Sequence, residues 1–269
     1  MFYLGTIFEM SNNLIAFLVF FFFPPLLLAN DEVQEGLRIM TEVDRRDSGW
    51  VDYTVDLTMI LSNARGETTE REIQMKSKET EEDGDRTLMV FDTPPDVRGT
   101  GLLTYTHFIG EDDQWLYLPA LKRIKRIASK NKSGPFMGSE FAYEDLSSQE
   151  VSKYSYRYLK DEIMHGEDHF IVERYPLDQN SGYTRQVAWV DKEHYRFQKI
   201  QFFDRKNKHL KTLDFYDYRI YDNRIWRANS MIMENHVNKK STRLVWNNYQ
   251  FNRGMREQDF NKNALKRIR

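Results

Sequence analysis

The stretch that decides the fold runs from Val51 to Lys78 and reads VDYTVDLTMILSNARGETTEREIQMKSK. Apolar side chains occupy every second position from Val51 to Leu61, and most of the positions between them are polar. A period of two is typical of a β-strand that buries one face and exposes the other. Residues 63–66, Asn-Ala-Arg-Gly, predict a turn, and Thr68–Lys78 predicts a polar return strand. The stretch therefore predicts an antiparallel hairpin.

The same kind of pattern continues along the rest of the chain. Strand-length apolar segments separated by turns follow at steady spacing as far as Phe251. Helical periods occur at Asp31–Asp44 and at residues 257–267, where Phe260 and Leu265 would face inward. Strands and helices do not alternate, which argues against a parallel α/β sheet. We expect one mainly-β domain, residues 30–269, formed by a single large curved antiparallel sheet or incomplete β-barrel of about ten or eleven strands.

The first thirty residues form a separate segment. Leu14–Leu28 is an apolar run that is interrupted only by Pro24-Pro25. A membrane-spanning helix needs about 20 apolar residues and would be broken by two prolines, whereas an apolar core of roughly 7–15 residues is typical of a secretion signal. We predict a signal peptide over residues 1–29, cleaved near Ala29/Asn30, with translation starting at Met1 or Met10. An uncleaved membrane anchor is the alternative.

The composition is that of a folded protein, with 40% hydrophobic and 30% charged residues. The formal net charge of -2 provides no global field that would recruit nucleic acid, so we expect no nucleic-acid partner. The chain contains no cysteine, which excludes disulfides and acylation on a cysteine.

Sequence motifs for catalysis or metal binding are missing. The chain has no His-Glu-x-x-His, no Gly-x-Ser-x-Gly and no cysteine nucleophile. The segment His165–His169 offers two imidazoles, but it is better interpreted as a charged turn because no third ligand is fixed beside it. We therefore predict no enzyme, no cofactor and no metal. A hydrolase built from acidic residues that converge in space stays as an alternative.

A second informative stretch runs from Trp115 to Leu146 and reads WLYLPALKRIKRIASKNKSGPFMGSEFAYEDL. It predicts an apolar strand, a turn, a basic strand and a glycine-containing loop. In that loop we expect Phe136 and Met137 to be exposed. Large apolar residues in an exposed loop of a soluble domain are explained if they close over an apolar ligand. The basic strand is either a binding surface for lipid headgroups or an acidic partner, or an edge strand made charged against edge-to-edge pairing. Its candidate binding residues are Lys122, Arg123, Lys125 and Arg126.

Several segments together resemble a known family. They are Asp47–Trp50 (DSGW), Asp92–Leu103 (DTPPDVRGTGLL), Trp115–Ile124 (WLYLPALKRI) and Phe136–Leu146 (FMGSEFAYEDL). In this order they are similar to the bacterial outer-membrane lipoprotein-sorting proteins of the LolA-like superfamily, and more narrowly to the branch often encoded beside RND-type exporters. The resemblance covers essentially the whole chain after the predicted signal.

The resemblance implies an incomplete barrel with a few short helices across its open side and a hydrophobic cavity that takes acyl chains. It also implies a soluble periplasmic carrier of a lipid or lipoprotein that works with an inner-membrane RND-type exporter. We expect a monomer. A non-carrying interaction module, or an accessory subunit of an exporter, is the alternative. The predicted cavity and lid residues are Val55, Leu57, Met89, Leu103, Trp115, Tyr117, Phe136, Met137, Phe141, Tyr143, Trp189 and Phe202.

Three of these residues, Phe136, Met137 and Phe141, are candidates for a mobile lid. If Phe136 and Met137 are exposed, replacing both by aspartate is expected to lower lipid loading and leave the thermal midpoint nearly unchanged.

Overall fold

The computed structural model describes residues 25–80 and 82–266, with side chains from residue 31 onward. Most of the predicted signal peptide lies outside this part of the chain, and its cleavage near Ala29/Asn30 stays a prediction. The described residues contain one thirteen-stranded antiparallel sheet, a long N-terminal helix and a short C-terminal helix. The helices are α1 (Pro25–Asp47) and α2 (Lys262–Lys266). The strands are β1 (Asp52–Ser62), β2 (Thr68–Lys78), β3 (Arg86–Thr93), β4 (Gly101–Tyr105), β5 (Asp113–Leu118), β6 (Arg123–Arg126), β7 (Tyr154–Met164), β8 (Glu167–Pro176), β9 (Tyr183–Asp191), β10 (Phe197–Asp204), β11 (His209–Tyr221), β12 (Ile225–Asn235) and β13 (Ser241–Phe251).

The predicted hairpin at Val51–Lys78 is confirmed as β1 and β2. Val55 pairs with Met75 and Leu57 pairs with Ile73, so the apolar positions of the two strands lie on one face. At the turn, the Asn63 carbonyl oxygen accepts a hydrogen bond from the Gly66 N–H at 2.9 Å. Gly66 has a φ of 83°, a conformation that glycine adopts without steric cost.

The order of the strands follows from two meanders joined back to back. From one edge to the other it is β6-β5-β4-β3-β2-β1-β13-β12-β11-β10-β9-β8-β7. The first and last strands of the chain, β1 and β13, pair in the middle, and β6 and β7 lie at opposite edges. The segment between those two edge strands must therefore cross the whole sheet. We call this segment, residues 127–153, the strap.

The strap crosses one face of the sheet as a series of short turns. Its 3-10 turns are Ser129–Asn131, Phe136–Gly138, Tyr143–Leu146 and Val151–Lys153. Side chains of the strap, of α1 and of that sheet face form one continuous hydrophobic core. We call this face the inner face.

The opposite face carries a smaller core near the β6 edge. Leu88, Leu103 and Trp115 pack there against Phe260 and Leu265 of the C-terminal segment. Phe260 and Leu265 have no exposed surface, which confirms that they face inward. The open sheet is thus covered on its inner face by α1 and the strap, and on part of its outer face by the C-terminal segment.

Two expectations about the elements need correction. The sheet has thirteen strands, more than the ten or eleven expected, and the predicted basic strand is among them as the four-residue β6. The N-terminal helix is longer at both ends than Asp31–Asp44. The expectation of one large open antiparallel sheet with few helices is confirmed.

Candidate functional site

The inner face is mainly apolar, and α1 and the strap cover much of it. Of the predicted cavity residues, Val55, Leu57, Met89 and Phe202 lie on this face, and each is 4% exposed or less. Phe141 of the strap packs into the same core and is 3% exposed. The structure therefore brings these predicted residues together in one apolar layer between the sheet and the strap.

Phe136 is buried, contrary to the expectation that it is exposed. Its side chain has no accessible surface, and its ring centroid lies 5.8 Å from that of Phe91 and 5.5 Å from that of Tyr143. Met137 is half-buried at the edge of this core. The physical reason is the turn itself, since Met137 at φ 48° and Gly138 at φ 79° reverse the chain and direct Phe136 toward the sheet. Phe136 is therefore an anchor of the strap.

Four of the predicted cavity residues are placed elsewhere. Leu103, Trp115 and Tyr117 belong to the outer core under the C-terminal segment. Neighbouring residues of a strand point to opposite faces, and their neighbours Leu102 and Leu116 point to the inner face. Trp189 is half-buried away from both cores, and its indole Nε1 donates to the Glu162 carboxylate at 3.1 Å. The structure does not bring these four residues to the inner face.

Helix α1 covers the part of the inner face next to the β7 edge. Ile39, Met40 and Val43 are buried against the core at three- and four-residue spacing. The helix approaches β7 so closely that a Cβ atom at Gly36 would lie 2.8 Å from the backbone nitrogen of Tyr158. Glycine at this position therefore permits the contact between α1 and β7.

A buried ion pair holds the middle of the strap to the sheet. The Nζ of Lys211 on β11 lies 2.7 Å from the Asp145 carboxylate, and the two side chains are 4% and 7% exposed. The same carboxylate accepts hydrogen bonds from the Tyr183 hydroxyl at 2.9 Å and from the Ala142 N–H at 2.7 Å. Burial and the neighbouring carboxylates raise the pKa of the Tyr183 hydroxyl well above its usual value, so it stays a donor. We call Lys211, Asp145 and Tyr183 the latch.

The latch is not among the residues predicted from the sequence. A signal was present, because Lys211 lies two residues before Leu213 and so points to the same face of β11 as that buried leucine. Burying an unpaired lysine costs free energy, so a lysine at an inward position predicts a buried partner of opposite charge.

Further polar contacts hold the strap on either side of the latch. The Glu144 carboxylate accepts from the Ser181 hydroxyl at 2.7 Å and from the Gly182 N–H at 2.9 Å. The Glu140 carboxylate accepts from the side-chain amides of Asn235 and Asn238 at 2.7 and 3.1 Å. Side chains of the strap are thus bonded to the β8–β9 turn and to the β12–β13 turn.

Two half-buried carboxyl groups lie where the strap returns to β7. Burial raises the pKa of Asp85 to about 6, and repulsion from Glu79 and Asp47 adds to the shift. Burial raises the pKa of Glu150 to about 7, with repulsion from Asp85 and Asp44 in the same direction. The folded protein therefore favours the protonated form of both groups.

We expect Glu150→Gln to stabilise the protein at about pH 8 and much less at about pH 5. Because the folded pKa is raised, the contribution of the carboxyl to stability is complete below its unfolded pKa and is lost as the pH rises through about 7. The gain should be roughly 1–2 kcal/mol at the higher pH, after a discount for partial solvent exposure. Urea unfolding at both pH values measures it, with the exposed Glu167→Gln as control. Equal gains at both pH values would contradict the assignment.

The predicted basic residues occupy the β6 edge of the sheet. Lys122, Arg123, Lys125 and Arg126 are all exposed, and β6 is a terminal strand in the sheet order. The structure therefore places these charges on an edge strand, as protection against edge-to-edge pairing requires. Lys122 lies in the turn before β6 with a φ of 49°.

Two absences among the described residues complete the description of the site. No three His, Cys, Asp or Glu side chains among them are arranged to hold a metal ion. Within residues 25–80 and 82–266, no helix combines the length and apolarity that crossing a bilayer requires.

Known proteins resemble this chain over most of its length. A protein-family model that carries only the description of an uncharacterized protein matches residues 83–267. No curated protein sequence matches the chain. A LolA superfamily protein from Nitrosomonas europaea has the same fold, with a TM-score of 0.70 and 18% identity over 87% of this chain and 99% of that one.

Two crystal structures are more similar in sequence. A DUF1329 family protein from Desulfovibrio piger is 29% identical with a TM-score of 0.83, over 87% of this chain and 99% of that one. A structure described as an outer membrane lipoprotein-sorting protein domain, from Vibrio parahaemolyticus, is 55% identical with a TM-score of 0.86. That match covers 87% of this chain and 100% of the domain. The chain therefore belongs to the family of outer membrane lipoprotein-sorting proteins, with the open-sheet fold of the LolA superfamily.

Proposed function

We propose that the protein is a periplasmic carrier that holds acyl chains of a lipid or lipoprotein between the inner face of the sheet and the strap. The observation that supports this most strongly is the 55% identity with a lipoprotein-sorting domain over the whole of that domain. We propose no catalytic activity, because the covered face is mainly apolar and the charged groups of the latch are engaged in holding the strap.

The free energy of burying an acyl chain favours opening of the covers. Each methylene moved out of water contributes about 0.8 kcal/mol, so a chain of about sixteen carbons contributes on the order of 12 kcal/mol. In the closed structure, side chains such as Phe136 and Phe141 occupy the space between sheet and strap. An acyl chain would therefore enter by displacing the strap or α1.

The strap is the cover better suited to move. From residue 128 to residue 152 its backbone–backbone hydrogen bonds stay within the strap, as in the bond from the Phe136 N–H to the Phe141 carbonyl at 2.7 Å. Side chains and apolar packing attach it to the sheet. The latch, Glu140 and Glu144 contribute to this attachment. Side chains of the sheet also donate to strap carbonyl oxygens, as from Arg71 to Met137 at 2.6 Å and from Gln114 to Tyr143 at 2.9 Å. Opening would thus break side-chain contacts and leave every strand pair intact.

We expect Glu140→Ala to accelerate acyl-chain uptake by roughly tenfold. The substitution removes the hydrogen bonds from Asn235 and Asn238, which are worth about 1–2 kcal/mol together, and so favours the open form. Stopped-flow uptake of a fluorescent fatty acid measures the rate. The matched control is Glu67→Ala, which removes a carboxylate bonded to Asn63 in the β1–β2 turn. Equal rates for both variants would contradict an opening strap.

Native mass spectrometry of gently purified protein tests the carrier proposal directly. We expect a bound lipid or lipoprotein-derived species in a fraction of the molecules, and exchange with added fatty acid. Absence of bound lipid together with absence of uptake would overturn the proposal.

That outcome would favour a second function, a non-carrying interaction module. The observation in its favour is the closed inner core, in which Leu57, Met59 and Phe136 are each 1% exposed or less. Under either function, the resemblance to the exporter-associated branch leads us to propose an RND-type inner-membrane exporter as partner. In-cell crosslinking from exposed positions, followed by identification of the crosslinked protein, tests this partnership.

A further inference from the structure

A basic cleft of about 620 Å³ lies on the outer face of the sheet at the β6 edge. One side is formed by Lys122, Arg123 and Arg126 of the β5–β6 hairpin, and the other by Lys262 and Lys266 of α2. These two groups are more than 130 positions apart in the sequence. The fold alone brings their five positive charges together.

Little negative charge balances these cations. Among the residues that line the cleft none is acidic, and Arg126 is paired with Asp113 just outside it at 2.5 Å. The Nζ of Lys262 lies 4.6 Å from the centre of the Trp115 ring, a cation–π contact that adds no negative charge to the cleft. Within the described part of the chain, no carboxylate pairs with the cleft-facing Lys122, Arg123 or Lys266. The whole chain has a net charge of -2, so positive charge is concentrated here.

Protection of a sheet edge does not account for this arrangement. The opposite edge strand, β7, is also charged, but its charges are of both signs and paired. Arg157 contacts Glu173 at 2.8 Å and Lys160 contacts Glu162 at 2.7 Å. An edge can therefore be protected without charges of one sign, and the lysines of α2 are not on an edge at all.

The shape of the cleft favours a surface that carries many phosphates. It is wide and open, and its cations are at the ends of exposed side chains, unlike a closed pocket that surrounds one small anion. At its rim, Leu121 in the turn Pro119–Leu121 is 63% exposed and lies directly before Lys122. An exposed apolar side chain beside lysines and arginines matches a bilayer surface, where phosphates lie next to apolar chains.

We propose that this cleft and Leu121 dock the protein on membranes that contain anionic phospholipids. The cations contact lipid phosphates, and Leu121 enters the boundary between headgroups and acyl chains. The surface is on the face opposite the strap, so docking leaves the inner face free. This inference does not depend on acyl-chain carriage and would hold for a non-carrying module.

The test uses the full-length mature protein and co-sedimentation with vesicles of phosphatidylcholine, with and without phosphatidylglycerol. The variant Lys122→Glu/Arg123→Glu/Lys266→Glu reverses three charges of the cleft. The matched control, Lys206→Glu/Lys208→Glu/Lys239→Glu, reverses three exposed charges in turns outside it. A third variant, Leu121→Ser, removes the apolar side chain and leaves the charge unchanged.

We expect the wild type to bind only the vesicles with phosphatidylglycerol, and the cleft variant to bind at least about a hundredfold more weakly, since each cation near an anionic surface contributes about fivefold. The control should bind less than about tenfold more weakly than the wild type, and Leu121→Ser should bind severalfold more weakly. Equal losses in the two charge-reversal variants would overturn the proposal. So would complete displacement by millimolar glycerol phosphate, which would indicate a site for a small anion, or tighter binding to an acidic peptide than to vesicles.

Discussion

Phe136→Ala is expected to lower the free energy of unfolding by about 3–5 kcal/mol, one of the largest losses that a single side chain of this protein can produce. The ring has no exposed surface and contacts Phe91 and Tyr143, so its removal leaves a cavity between strap and sheet. Chemical denaturation monitored by circular dichroism measures the change. The same result is expected, to a greater degree, for the aspartate substitution, which would bury a charge.

The neighbouring position provides the control for Phe136. Met137 is half-buried at the margin of the same core, and Met137→Ala should cost about 1 kcal/mol or less. If both variants lost the same small amount of stability, Phe136 would be a mobile lid residue and its placement in the core would be refuted.

Asp145→Ala is expected to destabilise the protein by about 3–5 kcal/mol, because it leaves the buried ammonium of Lys211 without its carboxylate. Among the described residues, the Glu140 carbonyl oxygen at 2.9 Å and the rings of Tyr183 and Phe202 would remain in contact with the charge, and the Glu144 carboxylate would attract it from farther away. Thermal and urea unfolding measure the loss. The variant should also take up fluorescent fatty acid faster than the wild type, since the latch holds the strap closed.

A double substitution separates the ion pair from the surrounding packing. Asp145→Leu/Lys211→Met replaces both charges by apolar groups and should recover most of the stability lost in Asp145→Ala. A double variant as unstable as Asp145→Ala would show that the loss comes from the hydrogen bonds to Ala142 and Tyr183, with the ion pair as a minor contributor.

The alternation of apolar and polar residues predicted the strands well, but it could not predict contacts between segments that are distant in the sequence. The alternation at Val51–Lys78 specified the β1–β2 hairpin because strand pairing across a short turn is a local property. Alternation also shows that Leu102 and Leu103 point to opposite faces, but both are fully buried, because the C-terminal segment covers the outer face there. The sequence pattern could not tell which of the two faces the strap, and so Leu103, Trp115 and Tyr117 were predicted on the wrong side.

The burial of Phe136 was missed for a related reason. A glycine-containing loop is locally typical of an exposed segment, and its course across the sheet is fixed only by the positions of β6 and β7 at opposite edges. Lys211 could have been found, because its spacing from Leu213 placed a cation at an inward position. The lysines of α2 could be connected with the β5–β6 hairpin only once the fold was known.

The pairing of β1 with β13 has a consequence for the order of folding during synthesis. Each meander forms from strands that are neighbours in sequence, but the pairing of Tyr53 with Phe251 closes a loop of about three quarters of the chain. Until β13 has emerged, β1 presents a free strand edge with an apolar face, a structure that invites pairing with other chains. Assembly of the sheet is therefore completed only after the last strand has been delivered, and the protein needs protection from aggregation until that moment.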